Sequence, residues 1–160
     1  MKKIILFLIY LASSFMFAQE IARIEFNTGD DEIDTHLNDI NVYASANYDA
    51  FKNDLKVKFG AAIEEVDRYI VKEKVPPADV YYGYCLCTIS STSFKTVMKM
   101  RSDKNGWGSI AKDLGIKPGS KEFHALKNSA ISKIDKDKMK KVKKDKSNKK
   151  NKTGNKSKLN

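Results

Sequence analysis

The stretch Pro76-Pro-Ala-Asp-Val-Tyr-Tyr-Gly-Tyr-Cys-Leu-Cys-Thr-Ile89 decides the fold. Its two prolines end the element before them and open a new one, because proline suits a first helical turn and disrupts a later one. Val80, Tyr81, Tyr84, Cys85 and Ile89 then form a broad apolar face at helical spacing. The same reading bears on the two cysteines of the chain, Cys85 and Cys87. Two positions apart on a helix, they point to different sides, which disfavours a bond between them. On a strand they would share a face, but the flanking pattern is helical. They read as small, buried, apolar side chains.

Upstream, Ile63, Val66 and Ile70 make one helical stripe, and Phe51 and Leu55 another that stops at Gly60. Ile33, Leu37 and Ile40 repeat at the same spacing, whereas Ile40 to Ala46 alternates and reads as a strand or a break. Asn27-Thr-Gly-Asp30 is a turn and helix cap, and Asp30, Asp31, Glu32 and Asp34 favour the positive end of the helix that follows. Arg23 to Phe26 is a short alternating lead-in. Downstream, Ser90 to Ser93 breaks the chain and caps a helix carrying Phe94, Val97 and Met98. Ser109 to Leu114 is a short helix with Gly115 as its left-handed stop. Lys117-Pro-Gly-Ser120 is a turn whose serine caps a last helix, with Glu122 in its first turn and Phe123 and Leu126 inside. The expected fold is all-α: a small bundle of five or six short helices, a short strand or extended lead-in at the N-terminus, and a disordered C-terminal tail.

Three regions follow from composition. Residues 1–18 have the layout of a signal peptide, with Lys2 and Lys3, an apolar run from Ile4 to Ala12, and Ser13 to Ala18 approaching the cleavage point. The apolar run is shorter than the ~20 residues that span a bilayer. Cleavage is expected after Ala18, with Ser14 as the alternative. The mature chain is then exported, to the periplasm or the medium, without a transmembrane segment. Residues 19–130 are the helical domain and carry 15 Lys and Arg against 17 Asp and Glu. Residues 131–160 carry 13 Lys against three Asp and few apolar residues, so they cannot offset the entropy of ordering.

The tail is the one feature that supports a functional expectation. Lys140, Lys141, Lys143, Lys144, Lys146, Lys149, Lys150 and Lys152 are the candidate polyanion-binding residues. Lysine without arginine or aromatics attracts anionic polymers and lipids by charge density, not by bidentate recognition or base stacking. Export directs that attraction to anionic envelope material. Nucleic acid is the alternative partner, because Ser109-Ile-Ala-Lys-Asp-Leu-Gly-Ile116 looks like the front half of a helix-turn-helix. Its second half departs from that pattern: Lys121 and His124 stand where apolar residues belong, and Pro118-Gly119 lengthens the turn.

Catalysis and metals are not expected. The chain has no Gly-x-Ser-x-Gly elbow, His-Glu-x-x-His helix or phosphate loop. His36 and His124 with the two cysteines do not make a zinc site, and the acidic run at residues 30–34 lacks the spacing of a calcium loop. Trp107 between two glycines reads as a core plug. Gly106-Trp-Gly-Ser-Ile-Ala-Lys-Asp-Leu-Gly-Ile-Lys-Pro-Gly-Ser-Lys-Glu-Phe-His-Ala-Leu-Lys127, with Pro77 to Tyr81 upstream, resembles a segment of small exported proteins of Gram-negative bacteria. That group has no assigned activity, so the resemblance implies a shared domain and export and carries over no functional residue.

Overall fold

A computed structural model describes residues 24–103 and 106–131 and the isolated positions 137, 140, 141 and 144. The expected signal peptide, its cleavage point and most of the lysine tail lie outside the described residues. Seven α-helices follow one another: α1 (Asp31–Ala46), α2 (Tyr48–Phe59), α3 (Ile63–Asp67), α4 (Pro77–Ser90), α5 (Phe94–Ser102), α6 (Trp107–Asp113) and α7 (Lys121–Ala130). A π-turn, Arg68–Lys72, continues α3. Among the described residues there is no strand, and no helix is long and apolar enough to cross a membrane.

The stretch quoted first becomes the centre of the bundle. Every residue from Ala78 to Leu86 is buried, which is wider than one apolar face. A helix apolar on all sides must be covered on all sides. Helix α4 accordingly packs on α1, α5 and α7, and also touches α2 and the π-turn. Its second helical residue, Ala78, needs an acceptor for its N–H, because Pro76 supplies no side-chain cap. Asn41 of α1 provides it across the helix interface: its Oδ1 accepts from the Ala78 amide at 2.9 Å.

The stretch from Ile40 to Ala46 belongs to α1 and is neither strand nor break. Ile33, Leu37, Ile40, Tyr43 and Ala44 are all buried, so the helical stripe runs on to the end. Polar Asn41 interrupts the apolar pattern at that point because it is needed to cap α4. The described residues thus form seven α-helices, slightly more than the five or six expected.

The other caps match the sequence reading. The Asp30 carboxylate accepts from the amides of Glu32 and Ile33, Ser93 from Thr96, and Ser120 from Phe123. Gly115 is left-handed with φ 82°. The described part of the N-terminal lead-in, residues 24–28, is neither helix nor strand and serves α6. The Trp107 and Gly108 amides, which have no partner within their own helix, donate to the carbonyls of Phe26 at 3.2 Å and Asn27 at 2.7 Å. This approach needs a glycine. A Cβ on Gly108 would stand 2.9 Å from the Thr28 carbonyl oxygen, and backbone cannot move aside as a flexible side chain can. Gly108→Ala should therefore cost about 1–3 kcal/mol, seen as a lower urea midpoint with an unchanged slope.

Candidate functional site

The most deeply buried charge lies where α4, α5 and α6 meet. Asp79, in the first turn of α4, is 5% exposed. Its Oδ1 accepts from the Trp107 indole Nε1 at 2.6 Å and pairs with the Arg101 guanidinium at 3.2 Å. Trp107 is fully buried, packed edge-on against Tyr82 with ring centroids 5.3 Å apart, and the Arg101 guanidinium lies 5.0 Å from the Trp107 ring centre. The tryptophan is thus the core plug the sequence suggested. Its polar edge is satisfied by a residue that sequence reasoning did not single out. The clue was available: one carboxylate in an otherwise apolar helix needs a donor, and the sole indole is such a donor.

A second polar cluster fixes the end of the domain. The Lys127 ammonium of α7 reaches Asp30 Oδ2 at 2.7 Å and Glu32 Oε2 at 3.2 Å, tying α7 to the start of α1. Lys58 of α2 donates to the Tyr81 hydroxyl at 2.5 Å and to the Ser129 carbonyl at 2.7 Å. The last carbonyls of α7 thereby gain a cation at the negative end of the helix. Ile131, where the continuous described stretch ends, follows this doubly fastened end.

Of the predicted tail residues, Lys140, Lys141 and Lys144 have helical backbone and are exposed, as does Asp137. Their spacing of three and four places them on one helical face. Lys143, Lys146, Lys149, Lys150 and Lys152 lie outside the described residues.

The helix-turn-helix reading finds little support in packing. Helix α7 has its main contacts with α4 and α1, whereas α6 packs on α5. Lys117 and Lys121 are exposed on the turn and at the start of α7. Neither cysteine of α4 is in a disulfide; Cys85 is buried and Cys87 half-buried. Burial first, and then the Glu65 carboxylate, push the Cys87 thiol up to about 11 against the pull of a backbone hydrogen bond. It is therefore protonated near neutral pH and a poor nucleophile. His36 is buried in α1 and His124 exposed on α7. Among the described residues no group of three His, Cys, Asp or Glu side chains is placed to hold a metal ion.

Compared with known protein families, characterised proteins and solved structures, the chain finds no match. The resemblance of residues 106–127 to small exported proteins therefore stays an expectation.

The two clustered acids respond to pH in opposite directions. Burial raises the Asp79 carboxyl above the usual carboxylate range, outweighing Arg101 and the Trp107 indole. A raised pKa means the folded state keeps a proton that the unfolded chain has lost, so stability falls as pH rises across that window. Burial also acts to raise Asp30, but Lys127 and the amides of Ile33 and Glu32 outweigh it and hold the carboxyl low. Its contribution is complete above the ordinary value and is lost as pH falls through the lowered one. Unfolding free energies of the wild type minus those of Asp79→Asn should decrease upward from about pH 4. The corresponding difference for Asp30→Asn should shrink below about pH 4. Urea titrations from pH 3 to 8 separate the two, and parallel curves for wild type and Asp79→Asn would refute the assignment to Asp79.

Proposed function

We propose that this is an exported, non-enzymatic helical protein whose lysine-rich tail attaches it electrostatically to anionic polymers or lipids of the cell envelope. The observation that carries this reading is the separation of charge along the chain. Residues 19–130 hold 15 Lys and Arg against 17 Asp and Glu, while residues 131–160 hold 13 Lys against three Asp. The basic charge is thus concentrated beyond the last packed helix. Two of the domain's own lysines near that boundary, Lys127 and Lys58, are turned inward to Asp30, Glu32, Tyr81 and the Ser129 carbonyl. Lys140, Lys141 and Lys144, in contrast, are exposed.

The mechanism is counterion release and Coulomb attraction. Each lysine held near an anionic surface contributes about 1 kcal/mol, and the effect decays over a Debye length of about 10 Å at 0.1 M salt. No lysine has to find one partner, so attachment is weak per residue, multivalent and indifferent to the fine structure of the anion.

Co-sedimentation with vesicles tests this. The full chain should bind vesicles of anionic lipid at low salt, ignore zwitterionic ones, and be released as salt approaches about 1 M, where screening acts within about 3 Å. A chain ending at Ile131 should stay folded and lose the binding. Equal binding of the two chains would defeat the proposal. Duplex DNA bound by the shortened chain and weakened by a Lys117/Lys121 double substitution would favour the nucleic-acid reading instead.

A further inference from the structure

Residues 106–127, singled out in the sequence, are only partly accounted for by the fold. Gly106, Trp107 and Gly108 clamp the lead-in, and Leu126 and Lys127 fasten α7. The residues between them form one side of a groove of about 390 Å³, and the turn Asn27–Gly29 forms the other. That volume falls within the roughly 300–1,000 Å³ range of small-molecule sites.

We propose that this groove binds a small amphiphile with an apolar body and a single carboxylate head. Its apolar lining comes from Ala111, Ile116, Pro118 and Phe123, which converge from α6, the following turn and α7. Gly29 and Gly108 bring no side chain into it, so the space between the walls stays open. The polar residues that line it are few and of compatible kind: Asn27, Ser109 and Lys112, with Thr28, whose hydroxyl is already bonded to Asp34. Lys112 is exposed and makes no ion pair among the described residues.

Charge selects the ligand class. No Asp or Glu lines the groove. Of the nearby acids, Asp34 accepts from the Thr28 hydroxyl at 2.6 Å and Asp30 pairs with Lys127. One cation with two neutral hydrogen-bonding groups matches a monoanion, and an ammonium–carboxylate hydrogen bond is among the stronger polar contacts. A cationic head would meet Lys112 with nothing to offset the repulsion. A neutral head would forgo the ion pair. The site is independent of the tail, since it uses only residues of the domain.

Amide NMR titrations of the full chain with octanoate, octanol and octylammonium test the assignment. Octanoate should give saturable shifts centred on Gly108, Ser109, Lys112, Ile116 and Phe123, octanol should bind roughly tenfold more weakly, and octylammonium should not bind. Lys112→Gln, an exposed substitution, should weaken octanoate by roughly tenfold while leaving octanol unchanged. Octanoate shifts that never saturate or that scatter over the surface would overturn the proposal. So would equal affinity for octanoate and octylammonium, a comparison that needs only the unaltered chain.

Discussion

The hydrogen bond from the Trp107 indole to the buried Asp79 carboxylate is the contact on which the rest of the architecture hangs. Asp79 belongs to the central helix, on which α1, α5 and α7 pack, and Trp107 begins a short helix that packs on α5. Joining them sets the position of α6 on the core. That position in turn lets the first amides of α6 find the carbonyls of Phe26 and Asn27, which anchors the lead-in. The anchored lead-in places Asp30 as cap of α1 and as partner of Lys127, and so fixes α7. Each step satisfies groups that would be orphaned without the one before it.

Asp79 holds this place at an energetic cost. Its partners do not outweigh the loss of water, so the ionised carboxylate is less comfortable in the core than in the unfolded chain. The benefit lies in specificity of position. An apolar side chain of similar size would pack against the Trp107 ring but would leave the indole N–H without an acceptor, and it would not distinguish one approach of α6 from another. Arg101 contributes to both partners, by charge to the carboxylate and by its cation to the face of the ring.

Local signals were readable in the sequence and relations between helices were not. Asp30, Ser93, Ser120 and Gly115 act within a few residues of themselves, and each sits where its chemistry predicts. Asn41 misled because its role is to cap a helix that begins 37 residues later, and no local pattern marks that. The run of buried residues in α4 was underestimated for a related reason: periodicity describes one face, and α4 has no solvent face to supply the contrast. The Ile-Ala-x-x-Leu-Gly segment invited a helix pair, yet α6 packs on α5 and α7 on α4 and α1, and Ile110, Ala111, Leu126 and Ala130 all enter one common core. Of the candidate site, the tail was legible as composition, whereas the groove beside Lys112 required three separated segments to be brought together.

The domain and the tail call for different kinds of recognition, and their chemistry keeps them apart. In the proposed attachment the tail lysines would act through number and proximity, so that salt would weaken them together and no single substitution would remove the effect. Binding in the groove, as proposed, would depend on one ammonium beside apolar walls, where a single substitution would matter and salt would matter less because the apolar contacts are unscreened. The fastening of α7 by Lys127 and Lys58 separates the two, since it fixes the point at which the tail departs without drawing on Lys112 or its neighbours. On the two proposals together, the protein would be held loosely at an anionic surface while its domain took up small molecules there. The first property resides in charge density and the second in shape, so either can be lost without the other.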